Sequence, residues 1–132
     1  MADVDSKAGT RGVEVIIEML AEFAGLVYLK VVAFAHDGII REPGTEELLR
    51  SAMAIGADVV GGIPWIEYTE AEMAEHVRIV FDIAVDNDAP VSMLLDDSGD
   101  PGLRTLELLA TDAIGRDCIG RALAHHARAL VL

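Results

Sequence analysis

Residues 57–67 read ADVVGGIPWIE, and the fold turns on how that stretch is understood. ADVV is an apolar, β-branched run of the kind that forms a buried strand. Each residue that follows spoils a strand in its own way. Gly61 and Gly62 add backbone entropy, Pro64 lacks an amide donor, and Trp65, the only tryptophan, is too large to stand unsupported. A strand that stops so abruptly delivers its next residues to a surface where something binds.

Outward from this stretch the pattern repeats. Residues 12–24 (GVEVIIEMLAEFA) set Val13, Ile16, Ile17, Leu20 and Ala24 on one face, the spacing of an amphipathic helix. LVYLKVVAFA (26–35) reads as a strand ending at HDG. TEELLRSAMAIG (45–56) reads as a helix with Thr45 as its cap and Gly56 as its stop. After ADVVGGI, Thr69 opens TEAEMAEHVRIVFDIAVD, where Met73, Val77, Val80, Phe81 and Ala84 make an apolar stripe. APVSMLL, the turn-rich DDSGDPG, the helix LRTLELLATDAIG and a last strand around IGRALAHHA complete the chain.

Val32, Val60, Val91 and Leu123 therefore sit in successive strands roughly 30 residues apart, each interval holding one helix. This is an α/β pattern of parallel βα repeats with about four strands, whose near-continuous apolar runs expect cover on both faces. Ligands bind beyond the carboxyl ends of such strands. That rim carries HDGIIREPG, GGIPWIE, LLDDSGDPG and HHARAL. Pattern alone leaves two architectures open, a short open sheet of the flavodoxin kind or half of an eight-stranded barrel.

Composition narrows the function classes. A chain of 132 residues is expected to be a single domain, 1–132, with a real core. It is 52% hydrophobic but only 5% aromatic, so aliphatic side chains do the packing. The net charge of −13 excludes a nucleic-acid backbone as the expected partner. The single cysteine, Cys118, rules out an internal disulfide and reads as an inert thiol, which fits a reducing, cytoplasmic setting. No apolar run reaches membrane-spanning length, and MADVDSKAG is unlike a signal peptide.

The string VVAFAHDGIIREPGTEELLRSAMAIGADVVGGIPWIEYTEAEM (31–73) resembles the central barrel of the cytosine deaminase-like branch of the amidohydrolase superfamily. That family carries a strand ending AFPQ(D/E)GI, an acidic helix, then GADVVGGIP. ADVDSKAGTRGVE, GLRTLELLA and HHARAL resemble further segments, so the likeness covers nearly the whole chain. It implies roughly half of a TIM-type (βα)8 barrel, entered near the family's second strand and left just past the sixth. It also implies a metal-dependent hydrolase, using zinc or iron, that cleaves non-peptide carbon–nitrogen bonds of cyclic amidines and amides. The implied partner is a small-molecule substrate.

Carried over residue by residue, the resemblance places His126 at a metal-site histidine and His36 at a substrate-binding glutamine. Trp65 reads as a substrate-pocket wall or as packing beneath the rim. Several family groups have no counterpart. The first-strand His-x-His pair is absent, Ser92 stands where the fifth strand has a histidine ligand, and the proton-shuttling glutamate falls near Leu94 or Leu95. No catalytic residue is assigned. His125 and His126 are adjacent, so on a strand they point to opposite faces and do not chelate one ion together. Fewer than three ligands do not make a catalytic site, so the chain alone is expected to be inactive.

The remaining polar groups carry plainer readings. His76 is expected on the solvated side of its helix. DDSGD lacks the spacing of a calcium loop and is expected to form an Asx-type turn capping the next helix. A non-catalytic scaffold or self-assembly module is the alternative function. A part-barrel has open parallel edges and an apolar inner face, so a homo-oligomer is expected.

Overall fold

The computed structural model describes residues 1–20 and 22–131. Five parallel strands form one sheet in the order β1-β2-β3-β4-β5, with β1 at Ala2–Asp3, β2 at Val32–Ala35, β3 at Val59–Gly62, β4 at Val91–Leu95 and β5 at Ala122–His126. The helices between them are α1 (Arg11–Leu20), α2 (Thr45–Ile55), α3 (Glu70–Asp86) and α4 (Thr105–Gly115). Consecutive order separates the two architectures. A flavodoxin-like sheet reverses direction partway, whereas right-handed crossovers between sequential neighbours keep every helix on one face, as in a barrel wall. The helices pack in a row, α1 on α2, α2 on α3 and α3 on α4.

Side-chain alternation then splits the sheet into two unlike faces. Ala33, Val60, Val91, Met93 and Leu95 turn toward the helices and meet Leu49, Ala52, Val77, Val80, Phe81, Ile83 and Leu109, all buried. The opposite face carries Val32, Phe34, Val59, Gly61, Ser92, Leu94, Leu123 and His125. Leu123 is 56% exposed there. No helix among the described residues is long and apolar enough to cross a membrane.

Local structure departs from the sequence reading in four places. The sheet has a fifth strand, β1, whose two residues pair with Ala33 and Phe34 and are too few to show as an apolar run. Of LVYLKVVAFA only the last four residues join the ladder, because the partner β3 begins at Val59. Leu26, Val27, Tyr28 and Leu29 are exposed, and Asp58 ends the ladder by accepting the Val31 amide at 2.8 Å. Helix α1 stops at Leu20, short of Ala24, which is exposed, and position 21 lies outside the described residues. Thr45 is the first helical residue of α2 and not its cap. Gly44 holds that place at φ 94°, and the Thr45 hydroxyl donates to the Glu42 carbonyl at 2.8 Å.

Helix α3 begins with a full capping box: Thr69 accepts the Glu72 amide, and Glu72 accepts the Thr69 amide at 2.9 Å. Such a cap contributes about 1 kcal/mol. Below it, His76 is completely buried, contrary to the expectation of a solvated side chain. The reason is angular. Position 76 lies three residues after Met73 and four before Val80, on the edge of the same apolar stripe.

Candidate functional site

The carboxyl ends of the strands gather the polar groups, and ADVVGGIPWIE explains how. β3 runs so close to β4 that a Cβ on Gly61 would lie 1.7 Å from the Ser92 carbonyl oxygen. A Cβ on Gly62 would lie 2.3 Å from His76 Nε2. Both glycines are therefore required by close approach. Pro64 then opens a short 3-10 turn, Pro64–Ile66, whose first position needs no amide donor. The turn swings the next side chain, Glu67, back beneath the rim.

Glu67 and His76 form a fully buried pair, Nδ1 to Oε1 at 2.8 Å. The same carboxylate accepts the backbone amides of Ile39 at 2.7 Å, Ile40 at 3.2 Å and Arg41 at 2.9 Å. Burial by itself pushes the Glu67 carboxyl up, but the bond from His76 and the three amides outweigh it and hold it below the usual carboxylate value. Burial pushes His76 down, and the neighbouring Glu67 offsets only part of that. The pair is thus a carboxylate and a neutral imidazole. Nδ1 carries the proton that Glu67 accepts, which leaves Nε2 against Gly62 as a buried acceptor without a partner among the described residues.

The sequence-derived site residues lie along this rim. His36 follows β2, is exposed, and meets the Phe34 ring edge-on with centroids 6.3 Å apart. With Asp37, Arg41, Glu42, Ile66 and Tyr68 it lines a cavity of about 460 Å³. The Arg41 guanidinium stacks over Tyr68 at 4.7 Å and donates to the Ile66 carbonyl at 2.7 Å. Trp65 is half-buried and does not line that cavity; its buried indole N–H has no hydrogen-bond partner among the described residues.

His126 closes β5 in a left-handed conformation, φ 69°, and its Nδ1 pairs with Asp97 Oδ2 at 2.6 Å. His125 instead faces Ser92, Nε2 to Oγ at 2.9 Å, on the wall of a second cavity of about 530 Å³ on the open face of the sheet. The two histidines therefore engage separate partners. Among the described residues, no three His, Cys, Asp or Glu side chains come together as an ion-binding group. The His126–Asp97 pair supplies two donors, fewer than a catalytic zinc or iron site requires, so the described residues do not by themselves fit that metal.

Glu67, His76 and Asp96 were not singled out from the sequence as functional groups. Asp96 is buried, takes φ 48°, and accepts the Thr105 amide at 2.9 Å, the Thr105 hydroxyl at 2.5 Å and the Leu106 amide at 3.2 Å, closing the start of α4. Asp100 makes a separate local turn, accepting the Gly102 amide at 2.8 Å. The stripe position of His76 was a readable signal. Nothing local marks Glu67, whose amide partners lie 26 to 28 residues away.

A row of sequential parallel strands, helices on one side and polar groups at the carboxyl ends, defines a fragment of a TIM-type barrel. Over 96% of its length the chain superposes on 31% of 5-methylcytosine deaminase from Klebsiella pneumoniae, solved with phosphonocytosine, with a TM-score of 0.90 and 34% identity. It likewise matches 33% of N-isopropylammelide isopropylaminohydrolase from Burkholderia multivorans, over 97% of this chain, at 0.87 and 29% identity. N-isopropylammelide isopropyl amidohydrolase from Pseudomonas sp. strain ADP is 31% identical over 125 residues, which are 95% of this chain and 31% of the relative. No protein-family model matches the chain. These homologues are amidohydrolase-superfamily members, and the chain corresponds to a fragment of such a barrel. It spans about a third of the length of the relatives it matches.

Proposed function

We propose that the chain is a section of a metal-dependent hydrolase that acts on exocyclic carbon–nitrogen bonds of small nitrogen heterocycles, and that it is not catalytically competent alone. The observation that carries this reading is the TM-score of 0.90 to 5-methylcytosine deaminase along 96% of the chain. The names of the relatives describe loss of an amino or alkylamino group from a ring, a reaction in which water adds to the ring carbon and ammonia or an amine leaves. In this reading His36 hydrogen-bonds the heterocycle, Trp65 supports the pocket wall, and His126 is one ligand of the zinc or iron. The remaining ligands would come from outside the described residues.

The test is elemental analysis of the purified chain after exposure to zinc or iron and dialysis, with ammonia or amine release assayed on 5-methylcytosine and N-isopropylammelide. The expected result is less than one retained ion per chain and no release. One tightly held ion, lost with turnover in His126→Ala, would overturn the inactivity of the isolated chain. Turnover that survives removal of all metal would overturn the metal-dependent reading itself.

A second reading, a self-assembling non-catalytic module, is favoured by the open sheet face. Leu123 is 56% exposed there, and Ile119, just before β5, is 71% exposed. Burying such side chains against a second copy is worth about 25 cal/mol per Å² of apolar surface. Size-exclusion chromatography should then show a dimer at micromolar concentration that Leu123→Lys returns to monomer. A monomeric wild-type chain would sink this reading.

A further inference from the structure

Glu67 belongs to the segment after β3, yet its carboxylate ends beneath the loop that follows β2. Three consecutive amides, of Ile39, Ile40 and Arg41, converge on it, an arrangement that concentrates partial positive charge on one anion. The loop wraps tightly. Gly38 lies at φ 97°, and a Cβ there would come 2.9 Å from Glu67 Oε1. Contact is returned from the other side, where Arg41 reaches the Ile66 carbonyl and covers Tyr68. Two segments from neighbouring strands are thereby tied at both ends. His76 completes the arrangement from α3, holding Oε1 with its Nδ1–H and standing against Gly62 with its other nitrogen.

These ties surround the cavity lined by His36, Asp37, Arg41, Glu42, Ile66 and Tyr68. Every one of those side chains sits on the loop that Glu67 fixes or on the residues flanking Glu67 itself. We propose that Glu67 is the positioning residue of this rim cavity, held in place by His76 and setting the loop that presents His36, Asp37 and Arg41. The carboxylate acts through the backbone it organises. The inference rests on the proposed hydrolase only for the identity of what the cavity takes, and its geometry stands without a metal or a substrate.

The experiment is amide hydrogen exchange on the isotopically labelled full chain, with no metal or substrate added. Glu67→Gln keeps the size of the side chain and one acceptor but removes the charge that three amides and an imidazole share. Exchange at Ile39, Ile40 and Arg41 should accelerate about tenfold or more, as expected for loss of charge-assisted bonds. The His36 and Tyr68 ring resonances should shift, while β4 amides keep their protection. Unchanged exchange at the three loop amides would overturn the proposal, and so would an equal acceleration throughout β4, which marks general packing. His76 supplies an independent pair of variants should Glu67→Gln fail to fold. His76→Gln retains a donor for Glu67 and should hold the loop amides near wild type, whereas His76→Leu should release them about tenfold. Equal exchange at the loop in these two variants would also overturn it. Because no turnover is measured, failure of the hydrolase reading leaves this result untouched.

Discussion

The unprotonated nitrogen of His76 rests against the α-carbon of Gly62, close enough that a methyl group there would stand 2.3 Å from it. One residue earlier on the same strand, Gly61 faces the backbone oxygen of Ser92, which has no freedom to withdraw. Gly61→Ala should therefore destabilise the fold by about 3 kcal/mol or more, and Gly62→Ala by about 1–3 kcal/mol. Gly99, with open space around it, should tolerate alanine to within about 0.5 kcal/mol. Urea unfolding midpoints of the three variants check the order. A Gly61→Ala protein as stable as Gly99→Ala would contradict the strand spacing.

Acid should weaken the protein through His76 before it reaches the carboxylates. Burial holds the folded His76 below its ordinary value of 6.5, so the unfolded chain takes up this proton first. The contribution is fully present above about pH 6.5 and declines as the pH falls toward the folded value, by up to about 1.4 kcal/mol per pH unit. Glu67, also depressed, contributes above its ordinary 4.5 and loses that contribution as the pH drops further. Denaturant titrations at pH 7.5, 6.0 and 5.0 should show the upper slope in the wild type and a shallower one in His76→Gln. Parallel slopes would remove His76 from the account.

Asp96 offers a sharper contrast between charge and shape. Its carboxylate satisfies two amides and a hydroxyl at the start of α4 while its backbone occupies a left-handed conformation that Asp and Asn accept. Asp96→Ala should cost about 2 kcal/mol, from the lost cap and the stranded donors. Asp96→Asn should cost about 1 kcal/mol or less, since one oxygen remains. Thermal unfolding of both variants measures the gap, and equal losses would assign the effect to the charge of the carboxylate, because Asn shares the left-handed tolerance of Asp.

The repeating βα organisation was legible because it depends on local pattern. Val32, Val60, Val91 and Leu123 each lie in a strand of the sheet, and the stops at Gly56 and the cap at Thr69 are written in neighbouring residues. The consecutive strand order was not, since two topologies share one pattern until the strands pair. β1 escaped notice because two residues carry no periodicity, and Leu26 to Lys30 misled because β-branched and aromatic residues read as strand even where no partner strand reaches them. At the rim, resemblance could point to His36 and His126, and Trp65 could be named from its place after β3. The Glu67–His76 pair could not, because a buried carboxylate is recognisable only when the distant amides that neutralise it are in view.

Most residues with positive φ are glycine or aspartate, which adopt that conformation readily, but β5 ends in His126 at 69° followed by Ala127 at 48°. Alanine there costs about 1 kcal/mol relative to glycine. Directed evolution for heat tolerance alone should therefore arrive early at Ala127→Gly, raising the melting temperature by a few degrees, roughly as that energy implies. The same change would give the backbone beside His126 more freedom and broaden its approach to Asp97. Durability and the aim of this histidine pull in opposite directions, and the alanine marks which of them the present sequence favours.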